Sequence, residues 1–304
     1  MTIALYPTKR QTAQFENHLE AGRLIYNQAL QRRIEVYRTT KKTLSRFDQT
    51  AELTRWRAKY DFLSSASVSV QRDALDRLDK GFKAFFRRVK SGEGKPGFPR
   101  FKPAQRWHSF SVGEPGQCVQ NGRIRVTKVD GLVRCRNLRE IGGRIKVQRI
   151  VRKAGRWFCQ LVIEDGVMKV EKKPIKKAVG IDVGLDHFYT DSDGNTVENP
   201  RFLRRMAGRL RRDHRRVSRR KKGSNRRRQA VLRLQKTFNT LANHRQNFSH
   251  HISKDLVARY DLIAIENLNV QGMARGRLAK HILTPDGADC DGSLHTRLKE
   301  PGVR

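Results

Sequence analysis

The chain has 304 residues, and its 66 lysines and arginines stand against 29 acidic residues, a formal net charge of +37. Charge on that scale makes a compact state repel itself and implies a polyanionic partner, while a 37% apolar fraction still allows two or three small cores and argues against wholesale disorder. No apolar run of about eighteen residues and no secretory leader is present, so the expectation is a soluble intracellular chain that does not use a membrane.

Residues 1–7 read as a short strand, Thr2-Ile-Ala-Leu-Tyr-Pro7. Thr8 follows where an N-cap belongs, ahead of a helix to about Arg38 with an apolar stripe of Leu19, Leu24, Ile25, Ala29, Leu30, Ile34 and Tyr37. A second helix is predicted near 48–60. A third runs from about Ser67 to Lys90, with Val70, Ala74, Leu75, Leu78, Phe82, Phe85 and Phe86 on one side. The Gly- and Pro-dense segment from Gly92 to Pro103 ends this helical unit. From 107 to 164 the pattern changes to short strands separated by Asn121-Gly122, Asp130-Gly131, Gly142-Gly143 and Ala154-Gly155. This predicts a small β-barrel completed by the N-terminal strand.

A polar, lysine-rich linker spans 165–177. Ala178-Val-Gly-Ile-Asp-Val-Gly-Leu-Asp186 then reads as a buried strand, followed by a hairpin through Asp191-Ser-Asp-Gly-Asn195. Asp186, Asp191 and Asp193 read as solvated turn residues. Residues 200–259 are mostly helical, and Leu262-Ile-Ala-Ile-Glu-Asn-Leu-Asn269 is a second buried strand. Strand, hairpin, long helical excursion and returning strand fit an RNase H-like sheet. Its first and fourth strands lie side by side, which would bring Asp182 close to Glu266. A carboxylate in an apolar strand is costly unless cations or donors satisfy it, so the pair suggests a divalent-metal site.

Residues 201–228 hold 15 lysines and arginines and one acid, Asp213. The nucleic-acid-binding candidates are Arg204, Arg205, Arg211, Arg212, Arg215, Arg216, Arg219, Arg220, Lys221, Lys222, Arg226, Arg227 and Arg228, with Lys95 and Arg100 from the Gly/Pro segment. The phenylalanines beside basic residues, Phe82, Phe85, Phe86, Phe98 and Phe101, read first as core and second as base-stacking groups. His244, His250 and His251 read as structural or RNA-facing. Cys118, Cys135, Cys159 and Cys290 form no C-x-x-C pair, so neither a zinc site nor a disulfide set is read.

Several stretches together resemble one family: Leu5-Tyr-Pro-Thr8, Tyr26-Asn27, Gly94-Lys-Pro-Gly-Phe-Pro-Arg-Phe-Lys102, Gly180-Ile-Asp-Val-Gly184, Arg245-Gln-Asn-Phe-Ser-His250 and Glu266-Asn-Leu-Asn-Val-Gln-Gly-Met273. They resemble, in order, the TnpB proteins, the OrfB-type transposases of bacterial insertion sequences, which are related to type V CRISPR effector nucleases. The resemblance implies an α+β multidomain fold. Residues 1–45 would be an N-terminal strand and helix (the transposase helix-turn-helix-like region) and 46–103 a helical recognition unit. Residues 104–165 would form a wedge-like β-barrel, and 178–282 a partial RuvC-like nuclease domain with an Arg-rich helix.

The resemblance also implies DNA cleavage with Mg²⁺ held by Asp182 and Glu266. The partners would be a guide RNA from the transposon end and a double-stranded DNA target, in a cytoplasmic protein that meets the nucleoid when bound to DNA. A zinc ribbon and a third acid belong to the family pattern beyond the Glu266 strand, and neither is found in this sequence. Residues 283–304 read as a non-family tail left by a frameshift. The expectation is therefore a truncated chain, inactive or weak as a nuclease. The alternative is a non-catalytic guide-RNA or DNA-binding protein, or a repressor.

Overall fold

A computed structural model describes residues 1–92, 96–136, 138, 141–164, 174–184 and 186–266. The expectations for Lys95, Cys290, most of the 165–177 linker and the 283–304 tail lie outside the described residues. The chain divides into two compact units, residues 1–167 and 168–304.

The first unit opens with strand β1 (Thr2–Tyr6) and helix α1 (Lys9–Thr40). Thr8 caps α1 through a reciprocal box with Gln11: the Thr8 hydroxyl accepts from the Gln11 N–H, and the Gln11 side chain accepts from the Thr8 N–H. Helices α2 (Arg46–Lys59), α3 (Asp61–Ser65) and α4 (Val68–Ser91) follow. The short α3 was not expected from the sequence. Its junction is closed by Arg57, whose Nη1 donates to Leu63 O at 2.8 Å and to Gln71 Oε1 at 2.6 Å. Leu19, Ile25, Ala29 and Leu30 are buried, but Tyr37, predicted on the same stripe, is 53% exposed because α1 has by then run past the core. Residues 1–45 thus hold one strand and one continuous helix before α2, with no turn between two helices.

Strands β2 (Ser109–Gly113), β3 (Val119–Gln120), β4 (Arg123–Arg125), β5 (Leu132–Cys135), β6 (Arg144–Lys153) and β7 (Arg156–Glu164) complete the unit. The sheet is seven-stranded and antiparallel, in the order β2-β6-β7-β1-β5-β4-β3. The N-terminal strand therefore occupies the centre, with Ile3 opposite Cys159 and Leu5 opposite Cys135. Phe15 of α1 meets Phe110 and Trp157 edge-on, at centroid separations of 6.0 and 5.0 Å, which ties the helices to the sheet. Asn121 and Gly122 both take positive φ, as do Ala154 and Gly155, as two-residue hairpin turns require. Cys118, Cys135 and Cys159 are free thiols, and burial pushes Cys159 up to about 12.

In the second unit, β8 (Ala178–Asp182), β9 (His187–Asp191), β10 (Thr196–Glu198) and β11 (Leu262–Ile265) form a four-stranded sheet in the order β10-β9-β8-β11. Helices α5 (Phe202–Ser218) and α6 (Asn225–Arg259) fill the excursion between β10 and β11. Val179, Ile181, Phe188, Tyr189 and Leu256 make the core of this unit, with Phe248 edge-on to Phe188 at 4.8 Å. Asp191, expected to be solvated, is buried. Its carboxylate accepts from the side-chain amide of Asn195 and from the backbone N–H groups of Asn195 and Asp193. These donors, the Asn195 amide foremost, hold it below the usual carboxylate range against the opposing effect of burial.

Candidate active site and nucleic-acid interface

β11 runs parallel to β8, with Leu262 opposite Ala178 and Ile265 opposite Ile181. Asp182 is the last residue of β8, and Glu266 follows Ile265 directly, so the two acids take the next register position on adjacent strands. Adjacent strands lie about 4.8 Å apart, and residues in register share a face. The apolar residues before each acid pin that register, because a one-residue slip would turn Val179 and Ile181 out of the core. Asp261 fixes the entry to β11: its Oδ2 accepts from the N–H groups of Lys176 and Lys177 at 3.1 and 3.0 Å.

Both acids are exposed rather than embedded in apolar surroundings. Neither side chain has a hydrogen-bond or ion-pair partner among the described residues. Two like charges at neighbouring strand ends disfavour each other unless a cation lies between them. Two carboxylates on one rim are also the hard oxygen donors that Mg²⁺ prefers, so this pair fits part of such a site. Among the described residues no group of three or more His, Cys, Asp or Glu converges.

The basic candidates sit on the α5–α6 hairpin. Arg204, Arg205, Arg211, Arg212, Arg215, Arg216, Arg219, Arg220, Lys221, Lys222, Arg226 and Arg228 are all exposed. Arg227 differs, because it is half-buried and its Nη1 donates to Val217 O at 2.7 Å and Arg220 O at 3.1 Å. It closes the turn between the two helices, so its first role is structural. The core face of α5 carries Leu203, Met206, Leu210 and Val217, and in the same stripe Asp213, which is 2% exposed. Sequence reasoning counted Asp213 only as the lone acid of the basic run. Its place on the apolar stripe at helical spacing was the signal that it is buried.

The Gly/Pro segment is tied to α1 by Asn27. Its Nδ2 donates to Lys102 O at 3.1 Å, and its Oδ1 accepts from Lys102 N–H at 2.8 Å. Tyr26 is buried against Trp107, with centroids 5.3 Å apart. The pair Tyr26-Asn27 therefore anchors the segment that carries Phe98, Arg100 and Phe101, and all three of these are exposed. Phe82 and Phe85 are half-buried and meet Phe98 edge-on at 5.4 and 5.5 Å, while Phe86 is exposed. His244 stacks on Phe202 at 5.8 Å, a structural contact.

Two family models match this chain. The one described as "Probable transposase" covers residues 146–277, and the one described as "Helix-turn-helix domain" covers residues 1–42. A curated "Putative RNA-guided DNA endonuclease" of Streptomyces pristinaespiralis is 30% identical over 284 residues, which is 91% of this chain and 69% of that protein. The "Putative RNA-guided DNA endonuclease InsQ" of Escherichia coli is 26% identical over 274 residues, 89% of this chain and 66% of that protein. The chain thus spans about two thirds of the length of these curated relatives. The fold is similar to a chain in the cryo-EM structure of a Cas12f1-sgRNA-target DNA complex, with a TM-score of 0.58, 12% identity and coverage of 98% of this chain and 73% of that one. At that identity the likeness is one of fold.

Proposed function

We propose, because this chain belongs to the TnpB family of OrfB-type transposases, that it binds a guide RNA from the end of its own transposon and is directed by it to double-stranded DNA. Sequence choice would then rest with base pairing, and the protein would contribute backbone contacts through exposed arginines. The sheet order and the parallel β8–β11 pair support an RNase H-like, RuvC-type fold for the second unit. The antiparallel sheet with β1 at its centre supports a wedge-like barrel for the first.

The observation that carries the catalytic part is the pair of exposed acids at adjacent parallel strand ends, without a partner among the described residues. Asp182 and Glu266 would hold Mg²⁺, which in phosphodiester hydrolysis activates water and stabilises the leaving oxygen. The residues themselves fix the distance between the two carboxylates through the β8–β11 register. The family's site has three acids, and this pair would be two of them. A second reading, guided binding without cleavage, is favoured by the arginine surface, which does not depend on the carboxylate pair.

The test is cleavage of a target DNA by the purified chain with its transposon-end RNA and Mg²⁺, beside Asp182→Ala. The expected result is co-purification of that RNA and Mg²⁺-dependent cutting that the substitution abolishes. Cutting that Asp182→Ala leaves untouched would refute the assigned site. Guide binding with no cutting would select the second reading, and absence of RNA binding would refute both.

A further inference from the structure

Arg216 of α5, Arg220 of the connecting turn, and Arg226, Gln229 and Arg233 of α6 line an open cleft of about 570 Å³, together with Ala230. Four guanidinium groups thus face one space with no acid among the lining residues. Left alone they would repel one another and splay into solvent. Behind them the buried Asp213 holds two of the four in place. Its Oδ1 pairs with Arg216 Nη1 and with Arg233 Nε, each at 3.3 Å, and its Oδ2 accepts from Thr237 Oγ1 at 2.8 Å. One carboxylate therefore holds one arginine from each helix, and Arg227 independently fixes the turn between them.

A guanidinium has five N–H donors, and each arginine uses one nitrogen on Asp213, so both keep donors for a ligand. Their planar forks match the paired non-bridging oxygens of a phosphodiester. Burying an acid on the core face of a helix has a desolvation cost that neither helix needs for packing alone. That cost is understandable if the product is a fixed arrangement of arginines.

We propose that this cleft is a preformed clamp for successive phosphates of a nucleic-acid strand, with Asp213 as its positioning residue. The inference rests on the nucleic-acid-binding reading above and deepens it: it assigns Arg233, which lies outside the basic run, and gives the single acid of that run a role. The chemistry is that of the phosphodiester backbone, and single-stranded RNA, single-stranded DNA and duplex DNA are its possible sources.

The test is the dependence of binding on salt for the full chain, with a fluorescent probe of each of the three kinds. For the parent, log K should fall steeply with log salt. For the double variant Arg216→Ala/Arg233→Ala, on two exposed positions, the slope should become shallower by about 1.4 for single strands or about 1.8 for a duplex, the amount for two lost phosphate contacts. The probe whose slope changes identifies the occupant. An unchanged slope with all three overturns the clamp while leaving the nucleic-acid reading intact. A parent that binds no probe overturns both.

Asp213→Asn separates positioning from bulk charge. It raises the net charge by one, so long-range attraction alone would tighten binding. Loss of positioning should instead weaken it, by about threefold or more, with the helical circular dichroism of the parent. Binding that is tighter or unchanged, or loss of the helical signal, overturns the positioning role of Asp213.

Discussion

Asn27 engages the backbone N–H and C=O of Lys102 with both of its polar groups, so one side chain on α1 ties down the Gly/Pro segment at that residue. Asn27→Ala leaves the Lys102 N–H without its partner and should destabilise the first unit by about 1–2 kcal/mol, read as a shift in the urea midpoint. His18 is fully buried. Its Nδ1 lies 2.7 Å from Gln14 O and its Nε2 lies 3.1 Å from Thr127 O and 3.4 Å from the Ser67 N–H; burial lowers its pKa, outweighing the two carbonyls, which favour the protonated ring. The folded state therefore holds His18 neutral, whereas the unfolded chain takes up a proton near pH 6.5. His18's contribution to stability is complete above that pH and is lost as pH falls through the lowered folded value. The urea midpoint should accordingly drop between about pH 7.5 and about pH 5.5, and a midpoint that stays flat would contradict the neutral assignment.

At the scale of elements, two-residue turns set the pairing of β6 with β7 and of β3 with β4. Gly155 has φ +76°, which a side chain enters only at a cost. Gly155→Ala should destabilise by about 1–2 kcal/mol, measurable by thermal melting, with the sheet's circular dichroism retained. Turns of this kind were legible in the sequence because Asn-Gly and Ala-Gly stand between alternating apolar runs. The long helices were legible for a similar reason: Thr8 and the stripe from Leu19 to Ile34 mark α1 without any tertiary information. The adjacency of β8 and β11 was legible from the order of elements, and the structure adds that they run parallel. What was not legible depended on contacts made across the chain. The five residues of α3 have no periodicity of their own, and Arg57 and Gln71 hold them in place. Asp191 carries the composition of a solvated turn, and only the folded hairpin turns its carboxylate inward onto Asn195. At the candidate site the closeness of the two acids could be anticipated, but their register and their exposure could not. Asp213 and Arg233 escaped notice because the first looked like dilution of a basic run and the second lies beyond it.

At the scale of the whole molecule, a net charge of +37 predicts tight, poorly selective binding to any polyanion at low salt. Binding to an unrelated RNA should lose roughly 10³–10⁵ in affinity between about 50 and about 200 mM salt, followed by fluorescence anisotropy, if six to ten phosphates are contacted. Affinity that barely moves over this range would mean that the exposed arginines do not meet phosphates. The central place of β1 has a consequence in time. The Met1 amino group donates to Leu161 O, 160 residues later in the chain, and β1 takes its partners from β5 and β7. A ribosome adding about 5–20 residues per second leaves roughly 8–30 seconds between the two. During that interval α1 and α4 can pack on each other locally, while β1 has both edges open. Residues 2–6 are therefore among the last of the first unit to reach their final place, and the helices that follow them form while β1 is still without a sheet.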